Sequence, residues 1–388
     1  MLHTDRVSLD VEVNGLKMPE GIIVLQQLAI LSHFHQYMPA GQLVLNDPTG
    51  AFEHLVSLSD STPIVITVGP SQQSAVTYKL RVFKPKISTA PAGVQVSLVL
   101  YWDNPLYWGG TTNLGIHGSS ADVITQLAAK AGITADVDPT NDLQVWIPGN
   151  SRLCQFAYNT AKAGWVSTQS MMLLGLTLGN VLRYKNVGEY DYPQTTVPLF
   201  KLGELTSDGS FIPGVSWDNG AVGGYNNFRG AYHEAQQNLS FTQPSGTGSL
   251  LTTVDKKRMT QYLNMNSDVK ATLGAARKMR YSLLDCGNVH ANYHAAVYQN
   301  ERLLRTHSET LEIVTMVQTK LDLFDKLQVM LYRPTTAGDA PKGQQDINGF
   351  YFAIGKGVYV GPEAIYLEKL VCVRDGHNTD PAQLNKDV

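Results

Sequence analysis

The sequence predicts a mainly β fold with α/β insertions. Three observations lead there. Apolar residues alternate with period two near both ends of the chain. Between them, residues 119–187 carry a helix, strand, helix, strand-pair code. Finally, only 16% of the 388 residues are charged, below the usual quarter, while 34 are glycine, which suits many strands and turns or a chain that buries surface in an assembly.

The first hundred residues supply about six short strands. Val7, Leu9, Val11 and Val13 alternate with Ser8, Asp10 and Glu12, and Asn14-Gly15 closes the strand as a hairpin signal. Residues 22–30, 42–45, 63–68, 76–83 and 94–102 follow, punctuated by Asn46-Asp47-Pro48, Gly69-Pro70 and Pro91-Ala92-Gly93; residues 51–58 suit a short helix. Such a run makes a small antiparallel barrel or sandwich. Residues 103–118, rich in Gly, Asn and aromatics, read as a linker.

Ser119 or Ser120 caps the next helix, with Asp122 in its first turn. Val123, Ile124, Leu127, Ala128 and Ala131 share one face, and Gly132 takes the C′ position. A second helix, capped by Asn150 or Ser151, lines up Leu153, Phe156, Ala157 and Thr160, and its Ala161-Lys162-Ala163-Gly164 end repeats Ala129-Lys130-Ala131-Gly132. Residues 133–137 and 143–147 read as strands, and residues 165–184 are apolar with turns at Gly175 and Gly179-Asn180.

Residues 197–205 suit another strand, 207–248 read as long loops, and 255–263, 268–279 and 289–304 read as helices. Alternation then returns through Leu311, Ile313, Thr315 and Val317. Leu321-Asp322-Leu323 leads into a turn at Asp325-Lys326, and Leu327, Val329 and Leu331 alternate again. Residues 350–354 and 366–373 complete the set, before a polar tail. The division expected is 1–115 for the first β unit and 116–192 for the α/β insert. Residues 193–215 with 298–376 make the second β unit, 216–297 a loop-rich and helical insert, and 377–388 the tail.

Motifs that carry chemistry are few. His290 and His294 have zinc-binding spacing, but Ala291 stands where a metalloprotease needs Glu; His33 and His35 lack further ligands. No nucleophile elbow, phosphate loop or Cys-x-x-Cys occurs, and acids such as Glu189 and Asp191 read as solvated. No catalytic, cofactor or metal residue is therefore expected. The formal charge of −3 excludes a whole-molecule basic field, and the run Lys256-Lys257-Arg258 with Arg277, Lys278 and Arg280 reads as helix-face charge. Cys154, Cys286 and Cys372 are too few and too spread for a disulfide framework, which points to a reducing compartment. No signal peptide is read at the start, and no apolar run reaches the roughly 20 residues of a membrane span. Trp217, Tyr225, Phe228 and Tyr232 stand out as interface anchors or as a loop's own plug.

Three sets of strings carry a family resemblance. One is Asp122-Val123-Ile124, Leu127-Ala128 and Ala131-Gly132, with Asn150-Ser151, Leu153, Phe156-Ala157 and Ala163-Gly164. Another is Asn292-Tyr293-His294-Ala295 through Asn300-Glu301-Arg302 into residues 309–317. The last is residues 323–329, 349–354 and 370–375, where Phe324 replaces the family's usual Gly before Asp. In order and spacing these resemble the central baseplate hub protein of contractile-tailed phages, whose barrel plan is shared with the N-terminal part of type VI secretion spike proteins.

The resemblance implies two similar small antiparallel β-barrels, with an α/β insert between them and a loop and helical insert in the second. It implies a structural protein of the virion tail baseplate, assembled in the host cytoplasm, rather than an enzyme. Three copies would form a pseudo-sixfold ring between a hexameric tail tube protein and a trimeric central spike protein. Neighbouring baseplate proteins would surround it, and DNA would pass through its channel without specific binding. A tail protein that hydrolyses cell wall or binds glycan is the alternative.

Overall fold

The computed structural model describes residues 7–18, 24–50, 58–90, 93–167, 170–189, 199–202, 214–219, 234–239, 250–253, 278–283, 309–331 and 349–374. The chain is mainly β. The first unit holds β1 (Ser8–Val13), β2 (Leu16–Lys17), β3 (Val24–His33), β4 (Ala40–Asp47), β5 (Pro63–Gly69), β6 (Val76–Ala90) and β7 (Gly93–Trp102). Asn14 and Gly15, with φ of 51° and 80°, make the two-residue turn between β1 and β2 that the sequence signals.

The insert follows. It comprises α1 (Pro105–Gly109), β8 (Thr111–Thr112), β9 (Ile116–Gly118), α2 (Ser120–Ala131), β10 (Thr134–Val137), β11 (Gln144–Trp146), β12 (Ser151–Arg152), α3 (Leu153–Ala163), β13 (Met172–Leu176) and β14 (Val181–Asn186). The second unit is built from β15 (Leu199–Leu202), β16 (Gly214–Asn219), β20 (Glu309–Thr315), β21 (Lys326–Leu331), β22 (Gly349–Val360) and β23 (Tyr366–Arg374). Strands β17 (Glu234–Leu239), β18 (Leu250–Thr253) and β19 (Lys278–Leu283) form a small sheet of their own.

The two β units are wired alike. Taken in chain order, the first unit's six long strands are β1, β3, β4, β5, β6 and β7; in space they run β1-β5-β6-β7-β4-β3. The second unit's strands are β15, β16, β20, β21, β22 and β23, and in space they run β15-β21-β22-β23-β20-β16. Both orders are first, fourth, fifth, sixth, third, second. One pairing differs in sense: β1–β5 is antiparallel and β15–β21 parallel.

The likeness extends to single hydrogen bonds. β6 carries a bulge against β7 between Val82 and Lys84, and β22 carries one against β23 between Ala353 and Gly355. Just before, Val82 accepts from Ser61 N–H and donates to Thr62 O (2.7 and 2.9 Å), while Ala353 accepts from Phe324 N–H and donates to Asp325 O (2.6 and 2.9 Å). Ser61 and Phe324 both hold a left-handed backbone, φ 71° and 69°.

A seam joins the units. Beyond its bulge, Gly355–Val360 of β22 pairs antiparallel with β3, so one sheet runs through both halves. Val358, Val360 and Tyr366 consequently sit in the first unit's core with Leu28, Ile30, Leu43 and Leu98.

In the insert, Ser119 and Asp122 form a capping box for α2, worth about 1 kcal/mol, and Gly132 closes it at φ 68°. Val123, Ile124, Leu127, Ala128 and Ala131 are buried as the periodicity predicts. Several expectations are corrected. The 103–118 linker contains α1, β8 and β9. Neither Asn150 nor Ser151 caps α3. Arg152 occupies that position without a side-chain bond, because Ser151–Arg152 pair with β8 and Leu153 N–H donates to Gly110 O. Gly175 lies inside β13 rather than at a turn; a Cβ there would meet Leu323 Cδ1 at 2.7 Å, so the glycine admits a neighbouring turn instead of making its own. The 207–248 stretch contains β16 and β17, and Lys278-Met279, expected at a helix end, open β19. The turn before β21 is centred on Leu323-Phe324, not Asp325-Lys326. The helices expected at 255–263 and 289–304, and residues 51–57 of the one at 51–58, lie outside the described residues.

Candidate functional site

The described residues place their polar chemistry at joints between elements. Arg183 on β14 donates to Asp136 (3.0 Å), to Asp325 (2.7 Å) and to the Leu323 carbonyl, clamping the insert to the turn that precedes β21. Lys185 bridges Asp136 and Asp138 beside it. Leu323 and Phe324 fill the notch left by Gly175. On the other side, Ser32 of β3 donates to the Leu176 carbonyl of β13.

A second joint lies under the seam. Glu368 is fully buried on β23; it accepts from Thr319 N–H (3.1 Å) and Oγ1–H, and pairs with Lys356 Nζ at 3.5 Å. Lys356 also donates to the carbonyls of Thr319 and Leu321 (3.0 and 2.7 Å). Burial pushes the Glu368 carboxyl up, against the opposing pull of Lys356 and Thr319. Burial raises Asp322 as well, despite the Leu323 N–H and the charges of Lys356 and Arg183. At Asp136 burial acts upward too, but the Lys185 hydrogen bond and the charges of Lys185 and Arg183 outweigh it and hold the carboxyl low. Glu368 and Asp136 thus link separate elements, whereas the Asp322 carboxylate accepts from the neighbouring Leu323 N–H.

Of the four aromatic interface candidates, Trp217 lies on β16, paired in register with Leu311 of β20 at the end of the long sheet. Tyr225, Phe228 and Tyr232 lie outside the described residues, as do His290, His294 and Asp191. His33 ends β3 and His35 lies in the turn after it, so they do not share a strand face; His35 N–H donates to His33 Nδ1 at 3.2 Å. No group of three or more metal-ligating side chains occurs among the described residues, and none of their helices is long and apolar enough to cross a membrane.

Two exposed apolar features were not legible from local sequence. Leu143, Val145 and Ile147, in and flanking β11, are exposed while the intervening Trp146 is fully buried, and Leu114 is exposed as well. On the first unit, the bulge exposes Phe83, edge-on to Tyr101, and the edge of β6 that follows carries exposed Lys84, Lys86 and Ile87.

No protein-family model matches the chain, and no curated protein matches it in sequence. Solved structures do match in fold. A tail protein from Neisseria meningitidis MC58 superposes with a TM-score of 0.60 at 13% identity, over 96% of this chain and 98% of that one. The 43 kDa tail protein of prophage MuSo2 from Shewanella oneidensis gives 0.58 at 9% identity, over 95% and 98%. The chain has the fold of these tail proteins. At such identities the likeness lies in the architecture, and both coverages span the whole arrangement of two wired-alike units and insert.

Proposed function

We propose that the chain is a structural tail hub. Three copies form a ring with pseudo-sixfold symmetry, which joins a hexameric tail tube to a trimeric central spike and leaves a channel for the genome. The observation that carries this reading is the shared strand order of the two units. A threefold body makes equivalent contacts with all six positions of a sixfold one when each copy offers its docking surface twice, and a duplicated unit supplies that. The seam supports it further, because β22–β3 pairing fixes the two units in one sheet.

In this reading the insert is an external buttress, held to the second unit by Arg183 and the Gly175 notch. The two ring-forming parts are residues 1–102 and 193–219 with 298–376, since β16 runs to Asn219; the insert is 103–192, since α1 and β8 join it; 220–297 elaborates the second part and 377–388 is a tail. Trp217, with Tyr225, Phe228 and Tyr232, contributes to contacts between subunits or with neighbouring baseplate proteins. The protein works in the virion tail after assembly in the host cytoplasm.

The test mixes purified protein with the tail tube and spike proteins of the same phage or prophage. Trimers that co-sediment with both are expected; a strict monomer that binds neither overturns the reading.

A further inference from the structure

The two units differ at one edge. In the second, β22 beyond its bulge is covered by β3. In the first, β5 ends opposite Arg81, and the following edge of β6 faces no strand among the described residues. β16, the second unit's counterpart of β3, pairs with β20 and with no other strand among the described residues. We propose that β6 of one copy pairs antiparallel with β16 of a second copy, repeating between chains the β22–β3 seam that exists within the chain. The proposal rests on the ring reading above and names its contact. Each copy offers β6 at one end and β16 at the other, so the contact is head-to-tail, the kind that closes rings.

The duplication sets the register. The seam places Gly357 opposite Leu31, Val358 opposite Ile30 and Val360 opposite Leu28. Counted from the bulges and the β6–β7 and β22–β23 pairings, the counterparts of Gly357, Val358 and Val360 are Lys86, Ile87 and Thr89. Counted through β4 and β20, the counterparts of Leu31, Ile30 and Leu28 are Asp218, Trp217 and Val215. Lys86 then stands opposite Asp218 of the second copy, and Ile87 opposite its Trp217.

The side chains of β6 suit that pairing. Lys86 is exposed and has no ion-pair partner among the described residues, and opposite charges directly across a strand pair attract. Ile87 lies on the core-facing line of β6, opposite fully buried Val96, yet is 43% exposed. A rival reading exists, since Lys84, Pro85 and Lys86 are residues that blunt a free edge. It explains neither the acid in register with Lys86 nor the apolar residue left bare beside it.

Charge exchange tests the proposal in the full-length protein by sedimentation. Lys86→Glu should weaken ring formation by about tenfold, because it sets like charges opposite one another. Asp218→Lys should do the same, and the double variant should restore the ring. In a second readout, Lys86→Cys with Asp218→Cys should cross-link between copies under oxidation, while Ser88→Cys with Asp218→Cys, one pleat out of register, should not. If the native protein forms trimers that both charge variants leave intact, the β6–β16 contact is refuted and the hub reading stands. If the native protein is monomeric under all conditions, including with tube and spike, both fall.

Discussion

The first and second β units follow one wiring with different side chains. Leu98 and Leu370 are both fully buried at equivalent points, and Leu100 corresponds to Cys372. Elsewhere the partners diverge: Val96 against Glu368, Ser61 against Phe324, Lys84 against Gly355. The divergence follows what covers each unit. Where β3 lies on β22, Gly355 leaves room for it, since a Cβ would meet His33 Cδ2 at 2.9 Å and Val371 Cβ at 3.3 Å. Where no strand among the described residues covers the edge of β6, lysines stand instead. Backbone pairing is thus the duplicated property, and the side chains record each unit's neighbours.

The largest effect is expected at the seam. Val360→Asp places a charge in the first unit's core from a strand of the second, at a cost of about 4 kcal/mol or more. Urea unfolding followed by both fluorescence and circular dichroism should show the two units lost in one transition; a first unit that stays folded would contradict the shared core.

The left-handed turns should respond in opposite directions. Phe324 is buried, so Phe324→Ala should cost about 3–4 kcal/mol. Phe324→Gly should cost about 1 kcal/mol less than that, because glycine accepts the positive φ. Ser61→Gly, on the surface side of the duplication, should stabilise by roughly 0.5–1 kcal/mol for the same reason. Denaturation midpoints at constant m-value decide.

Equivalent edge positions sharpen the contrast further. Gly355→Val should cost about 1–3 kcal/mol by crowding His33 and Val371. Lys84→Val should stay within about 0.5 kcal/mol in the isolated chain. Equal effects would mean that the bare edge is covered within the chain itself.

The smallest effect is electrostatic. A carboxyl raised in the folded state means that this state binds more protons than the unfolded one. Glu368 therefore lowers stability as pH rises from its unfolded value near 4.5 through its higher folded value. Asp122 and Asp136, held low, act oppositely: they contribute stability above the unfolded carboxylate value and lose it as pH falls. Glu368→Gln leaves those two in place, so the wild-type-minus-variant stability difference should decline from pH 4 to 8. A flat difference would show that Lys356 and Thr319 compensate burial fully.

Much of this was legible locally. Ser119, Asp122 and Gly132 announce α2 because capping is a short-range hydrogen-bond problem. Most strands of the first unit were visible from alternation, although their ends were not, since β6 and β3 run on where partners continue. The α3 cap is not legible locally because Ser151 and Arg152 are claimed by β8, a partner about 40 residues away in the chain. Gly175 misled because its reason, the Leu323-Phe324 turn, is more distant still. The duplicated wiring was invisible as repeated sequence: Ser61 and Phe324 share a φ and a hydrogen bond but no chemistry. Among the interface candidates, Trp217 reads from the sequence as an aromatic in a loop, whereas its place is in register on β16.

In the proposed ring, a duplicated unit converts threefold into sixfold symmetry. Electron-microscope class averages of the purified protein, viewed down the ring axis, test it most directly. Three copies presenting six near-equivalent lobes around a channel are expected. Monomers, or rings whose two β units lie at clearly different radii, would contradict it.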